Sequence, residues 1–195
     1  MKLFIIRHGQ STSDVEQKFG GTYDDLLTEV GKRQAQQLSS LLKYKGIRKI
    51  YHSPYKRAKE TAEIISNYIH VPLECIENLK ERNYFGVLSG MTQDSAKLKY
   101  PAELVKLENY PLEHDILESE NYDLFSKRIN SAIEMLLKSG SQIIAVVTHG
   151  GPIKHILHHF MKRDVNYIGE CAYIEIDHIQ GDFKVIGMHN VEMFN

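Results

Sequence analysis

The chain has 195 residues, with 24 Lys+Arg against 25 Asp+Glu, a formal net charge of −1, ten histidines and two cysteines. That length suits one domain of roughly 100–200 residues with a substantial core, and 42% apolar with 25% charged residues excludes a disordered chain. The balanced charge argues against a dedicated nucleic-acid binder, and no apolar run approaches the roughly 20 residues that span a bilayer.

In chain order, residues 3–6 are four consecutive apolar residues and read as a short buried strand. The run is too short for a signal-peptide core and is cut off by Arg7-His8. Gly9 then marks a place where the backbone turns. Thr28 caps a predicted helix with Val30, Gln34, Leu38, Leu41 and Leu42 along it. Gly46 ends that helix, and residues 47–52 read as a second strand. Ser53 and Pro54 open the next helix as N-cap and first helical residue. Its inward stripe is Ala58, Thr61, Ala62, Ile65 and Ile69, and residues 71–75 follow as a short strand. Residues 79–122 hold Gly turns, Pro101 and Pro111, and read as loops with short helices. Phe125, Ile129, Ala132, Ile133, Leu136 and Leu137 give the clearest helical stripe. Residues 143–147 are apolar throughout and predict a central strand covered on both faces. A helix over about 152–162 follows, then a terminal hairpin of residues 172–177 and 183–188 through Gln180-Gly181-Asp182. Cys75 and Cys171 have neither CxxC nor zinc spacing, so a reduced, cytoplasmic chain without disulfides is expected.

Strands alternating with helices predict an α/β fold on a mostly parallel sheet, in which ligands gather beyond the carboxyl ends of the strands. The loops leaving the first and central strands are therefore where chemistry is sought, and each carries a histidine, His8 and His149. A lone histidine after a strand is more often a structural hydrogen-bonder than a nucleophile. A neutral imidazole attacks phosphorus only where the phosphate charge is neutralised, and Arg7 is a fixed cation suited to bidentate phosphate contact. Arg57 is either a second such cation near a helix N-terminus or a solvated charge beside Lys56 and Lys59. Asp24-Asp25 and Glu113-His114-Asp115 read as solvated loop charges. His155 and His159 are i,i+4 with His158 adjacent, a zinc-compatible spacing. No third, acidic ligand falls in register, so they read as a partly exposed helix face rather than a metal site.

The ordered stretches Arg7-His8-Gly9-Gln10-Ser11, Phe19-Gly20-Gly21, Leu27-Thr28 with Gly31, residues 53–62, Leu79-Lys80-Glu81 with Gly86 and Gly90, and Val147-Thr148-His149-Gly150-Gly151 resemble the histidine phosphatase superfamily, also called phosphoglycerate mutase-like. The resemblance runs from residue 3 to at least residue 151. It implies a doubly wound sheet flanked by helices, one domain over residues 1–195, with a small helical lid insertion at about 82–123. It makes His8 the nucleophile that becomes phosphohistidine, Glu81 the proton donor to the leaving oxygen, and Arg7, Arg57 and His149 the rest of the phosphate pocket, with His149 as a protonated donor. The chemistry agrees: an alkoxide leaves only when protonated, and a carboxyl beside a bound phosphate keeps its proton by like-charge repulsion. Gly150 and Gly151 would let the backbone approach the anion and start a helix. Candidate substrate contacts are Arg7, Gln10, Ser11, Asp14, Gly20, Gly21, Arg57, Glu81, Arg82, Tyr84 and Gly150. No metal and no cofactor is implied.

Many members carry asparagine where this chain has Asp14. An ionised carboxylate there repels phosphate unless it points elsewhere, is protonated, or pairs with a cation such as Lys18. Three functions follow. The first is hydrolysis of small phosphomonoesters. The second is phosphoglycerate mutation dependent on 2,3-bisphosphoglycerate, and the third is a non-catalytic relative that binds phospholigands or proteins. Residues 101–123 carry seven acids against the single Lys106, an acidic lid that is a poor clamp for a polyanion, and Gly151 stands where mutases typically have asparagine. These favour the phosphatase, whereas Arg82 and Tyr84 resemble the mutase form of their motif. Monomer and homodimer both remain open, the terminal hairpin offering an edge.

Overall fold

The structure, a computed structural model, describes residues 1–109, 115–140 and 142–194. In chain order the elements are β1 (Lys2–Arg7), α1 (Thr12–Val15), α2 (Glu29–Leu42), β2 (Lys49–His52), α3 (Lys56–Ile69), β3 (Leu73–Cys75), α4 (Gln93–Lys99), α5 (Pro101–Asn109), α6 (Tyr122–Leu137), β4 (Ile143–Thr148), α7 (Gly150–Met161), β5 (Val165–Ile179) and β6 (Asp182–Met193). They form one six-stranded sheet in the order β3-β2-β4-β1-β5-β6. The first four strands are mutually parallel; β5 pairs antiparallel with β1, and β6 antiparallel with β5 at the edge.

Period-2 alternation along the strands separates two cores. Leu3, Ile5, Ile144 and Val146 face α6 and α7, where Phe125, Ile129, Ile133, Leu136, Ile153 and Ile156 pack. Phe4, Ile6, Ala145 and Val147 face α2 and α3 through Ala35, Leu38, Leu42, Ala58, Ala62 and Ile65. Covered on both faces, β1 and β4 need continuous apolar runs, and each buried Ile, Leu or Phe contributes about 1.5–3 kcal/mol. A third, small core of Leu88, Ala96 and Ile116, with Tyr100 and Leu107 packed against it, lies in the segment expected to form a lid. Of the expected loop charges Glu113, His114 and Asp115, the first two lie outside the described residues.

Several local expectations change. The buried stripe of α2 is Gly31, Ala35, Leu38, Ser39 and Leu42, leaving Val30 and Leu41 in solvent. Gly9 is not a turn residue: a Cβ there would meet the Gly31 carbonyl oxygen at 2.6 Å, so it serves close backbone approach between the loop after β1 and α2. Ser53 and Pro54 do not open α3, which begins at Lys56 with Tyr55 in the cap position. The Lys56 amide there is taken by the Asp24 carboxylate at 2.7 Å, and Ser53 is freed for the site described next.

Candidate active site

The carboxyl ends of β1 and β4 are adjacent in parallel register, with Arg7 beside Thr148. The His8 amide donates to the Thr148 carbonyl at 3.1 Å, and the Cys171 amide of β5 donates to the His8 carbonyl at 3.1 Å. The backbone of His8 is thus fixed by both neighbouring strands. Its Nδ1 lies 2.7 Å from the Gly9 carbonyl oxygen, which can only accept, so Nδ1 carries the proton and Nε2 is bare. Arg57 Nε donates to that Nε2 at 3.1 Å. Burial, and then the charges of Arg57 and Arg7, hold the His8 pKa well below the usual imidazole value. The ring is neutral and its free lone pair points at a cation.

Arg57 is 3% exposed. Its other nitrogens donate to the carbonyls of Tyr23 at 2.6 Å and Gly21 at 3.2 Å and to Asp25 Oδ1 at 2.8 Å. Asp25 is therefore no solvated loop charge. Its buried carboxylate also accepts the Ser13 amide at 2.8 Å. Burial pushes the Asp25 pKa up, but the Ser13 hydrogen bonds and the Arg57 charge outweigh it and leave the group below the ordinary value. Arg7 is anchored at 2.6 Å on the Ile168 carbonyl. Asp14 turns one oxygen onto the Ser11 amide (2.8 Å) and hydroxyl (2.7 Å) and places the other 3.7 Å from Arg7. Its cation is thus Arg7; Lys18 pairs with Glu16 instead.

His149 occupies the cap position of α7 and is fully buried. Its ring stands edge-on to that of His8, with centroids 5.1 Å apart. Nε2 lies 2.7 Å from Ser53 Oγ, and that oxygen already accepts the Tyr55 amide at 3.4 Å. With the Ser53 hydroxyl donating to Nε2, the proton of a neutral His149 sits on Nδ1. Burial, then Arg57, His8 and Arg7, hold this ring also well below the usual imidazole value. These causes favour the neutral ring over the protonated donor that the resemblance implied. That Nδ1 is the one buried side-chain N or O among the described residues without a hydrogen-bond partner, and a phosphoryl oxygen would satisfy it.

Glu81 enters from the segment between β3 and α4. Its Oε1 accepts the Arg82 amide at 2.8 Å and its Oε2 the Gly151 amide at 3.1 Å. A Cβ on residue 151 would lie 2.2 Å from Oε1, so glycine at the start of α7 is what makes room for the carboxyl. The loop is gripped by Arg128 of α6, which donates to the carbonyls of Asn78 (2.9 Å), Lys80 (2.7 Å) and Glu81 (3.0 Å) and pairs with Glu120.

A cavity of about 160 Å³ is walled by Arg7, His8, Ser11, Ser13, Asp14, Arg57 and Glu81, with Gly20, Gly21 and Gly150; the fully buried His149 is not among its lining residues. Arg82 and Tyr84 lie in an adjoining cavity of about 930 Å³. Gln10 lines neither: its Oε1 accepts the Thr28 hydroxyl at 2.8 Å and its amide is held by Gln34. His155 is buried rather than on an exposed face, bonded to Tyr122 and Asn130, and burial followed by the neighbouring histidines lowers its pKa to about 4. No group of three or more His, Cys, Asp or Glu among the described residues could hold a metal ion. Asp25 and Arg128 had no sequence signal that separates them from ordinary loop and helix residues, and Ser53, within a matching stretch, read as a helix cap rather than as a partner of His149.

No helix among the described residues is long and apolar enough to cross a membrane. The sequence model of the histidine phosphatase superfamily (branch 1) matches residues 3–190. The chain is 30% identical over 154 residues to the Bacillus subtilis (strain 168) protein named "Uncharacterized phosphatase PhoE", covering 78% of this chain and 74% of that one. It is 31% identical over 152 residues to "Probable phosphoglycerate mutase GpmB" of Escherichia coli O1:K1 / APEC, covering 77% and 70%. Among solved structures, Bacillus stearothermophilus YhfR superposes with a TM-score of 0.85 at 26% identity, over 95% of each chain. With the ordered motifs, the doubly wound sheet and this match over nearly its whole length, the chain belongs to the histidine phosphatase superfamily.

Proposed function

We propose that this protein hydrolyses phosphomonoesters through a phosphohistidine on His8. The observation that carries the reading is the bare Nε2 of a neutral, buried His8 in a cavity whose walls also include Arg7, Arg57 and Glu81. Substrate phosphate displaces the Arg57 contact to Nε2, and its oxygens take up the guanidinium groups of Arg7 and Arg57 and the Nδ1–H of His149. Nε2 attacks phosphorus, the bond to the ester oxygen breaks, and protonated Glu81 gives its proton to the departing oxygen. Positive charge on the phosphorylated ring is stabilised by the Gly9 carbonyl on Nδ1–H. Water then attacks phosphorus, ionised Glu81 takes its proton, and inorganic phosphate leaves with the His8 lone pair restored. Charge on the transferring group is met by arginines and oriented N–H donors, and the mechanism calls for no metal.

Mutase action is the second reading, favoured by Arg82 and Tyr84 at the outer cavity. The test is turnover of a panel of phosphomonoesters with and without 2,3-bisphosphoglycerate, for wild type and His8→Ala. Hydrolysis that needs no bisphosphate, survives EDTA and is lost in His8→Ala is the expected result. Isomerisation that requires the bisphosphate supports the mutase, and no turnover at all supports a binding protein.

A further inference from the structure

The geometry points to a substrate whose leaving group has a planar apolar body and carries a second anion, a phosphorylated aromatic acid; this rests on the phosphomonoester reading above. The inner cavity of about 160 Å³ suits a phosphoryl group, and the outer one of about 930 Å³ shares Arg7, Gly21, Glu81 and Gly150 with it. The outer volume lies in the range of small-molecule sites. Leaving groups of two or three carbons would leave most of it to water.

Its wall is aromatic and aliphatic, with Phe85, Tyr122, Phe125, Tyr167 and Ile168. Tyr122 is held as a fixed panel. Asn130 Oδ1 accepts from His155 Nε2 at 2.9 Å, so His155 Nδ1 accepts the Tyr122 hydroxyl at 3.0 Å, and the amide nitrogen of Asn130 faces His159.

Two cations line the same cavity without a countercharge. The Arg82 guanidinium lies 5.4 Å from the Tyr84 ring centroid and 5.5 Å from that of Tyr122. Its Nε donates to the Glu120 carbonyl at 3.1 Å, while its terminal nitrogens donate to no acceptor among the described residues. A guanidinium held by its faces and its Nε presents its free edge, the shape that reads a carboxylate. Lys154, in the second turn of α7, has no carboxylate within ion-pair distance among the described residues. The acids of the cavity are already engaged: Glu81 by two amides and Asp164 by His158 at 2.9 Å. The acidic lid does not oppose this reading. Glu103 binds Lys106 and the Leu117 amide, Glu120 binds Arg128, and none of the six described acids of residues 101–123 lines the cavity.

The test compares kcat/KM for phenyl phosphate, para-carboxyphenyl phosphate, phosphoglycolate and butyl phosphate, in wild type, Lys154→Gln, Arg82→Gln and His8→Ala. The ratio of the carboxyphenyl to the phenyl ester, taken between variants, cancels the intrinsic reactivity of the two leaving groups. In wild type the carboxyphenyl ester exceeds each of the other three by about tenfold, chiefly through KM. Its ratio to phenyl phosphate falls about fivefold in each glutamine variant. Lys154 is exposed on α7, so its substitution leaves folding intact even if Arg82→Gln does not. Wild-type turnover with no carboxyphenyl preference, or a ratio unchanged in Lys154→Gln, overturns the substrate class and leaves the phosphatase standing. Turnover of no ester above the His8→Ala level overturns both.

Discussion

Two neutral imidazoles, His8 and His149, meet edge to face at the carboxyl ends of β1 and β4, and opposite partners set their tautomers. A carbonyl on Nδ1 bares Nε2 of His8, whereas a hydroxyl donating to Nε2 leaves His149 with its proton on Nδ1. In the proposed mechanism one ring attacks and the other donates. Both pKa values are held below 6.5 by burial first and by the arginines second, so both rings stay neutral as pH falls past 6.5. Imidazole nitrogen NMR near pH 6 should report uncharged His8 protonated on Nδ1 and uncharged His149; a cationic signal from either contradicts the neutral state, and a His8 proton on Nε2 contradicts its tautomer. Asp14 competes with phosphate for Arg7 at 3.7 Å across a half-exposed pair. Asp14→Asn keeps an acceptor for Ser11 and releases Arg7, and should raise kcat/KM by roughly two- to fivefold; an unchanged or lower value contradicts it. Asp25→Asn strands the buried Arg57 charge and should cost about 3–5 kcal/mol near pH 7 by urea denaturation. Because the folded pKa of Asp25 is depressed below 3.8, the pair's contribution is complete above that pH and is lost as pH falls through the folded value. The difference between wild type and Asp25→Asn should therefore narrow near pH 3, and a pH-independent difference would sink the ion-pair account.

At the scale of elements, α7 and α6 fix Glu81, the proposed proton donor, between them. The N-terminus of α7 gives Glu81 an amide from Gly151, and α6 holds the Glu81 loop through Arg128. Gly151→Ala adds a Cβ that would stand 2.2 Å from Glu81 Oε1, while alanine in a helix costs nothing in propensity. The variant should fold yet lose about tenfold in kcat on alkyl phosphates, with a much smaller loss on aryl phosphates whose leaving oxygen needs less help from an acid. Equal losses on both classes would place Glu81 outside proton transfer. This level was the least readable from sequence. Arg128 is bonded to a residue 47 positions away, Ser53 to one 96 away and Arg57 to Asp25 32 away. A serine before a proline looks like a helix cap until the fold brings His149 beside it, and adjacent aspartates look solvated until an arginine is buried against one of them.

The whole molecule follows from the sheet. Continuous apolar runs in β1 and β4 forced both strands into the covered centre, and parallel pairing placed the residues after each run at the same edge. That much was legible, because burial on two faces writes itself as an unbroken run and an α/β alternation fixes the layers. The full lengths of β5 and β6 were not: β5 carries polar residues and register irregularities between Ile168 and Tyr173 that hide a strand of 15 residues. The same stretch supplies the Ile168 carbonyl to Arg7 and the Cys171 amide to His8, so an irregular strand supports the residues on which the chemistry depends.

The central claim is that the phosphoryl group passes through His8 Nε2. Rapid quenching of wild type with a radiolabelled phosphomonoester should trap an acid-labile, alkali-stable label on His8 that forms and decays at rates consistent with kcat, and His8→Ala should carry no label and no turnover. Hydrolysis by wild type without any labelled enzyme, or full turnover by His8→Ala, would contradict it.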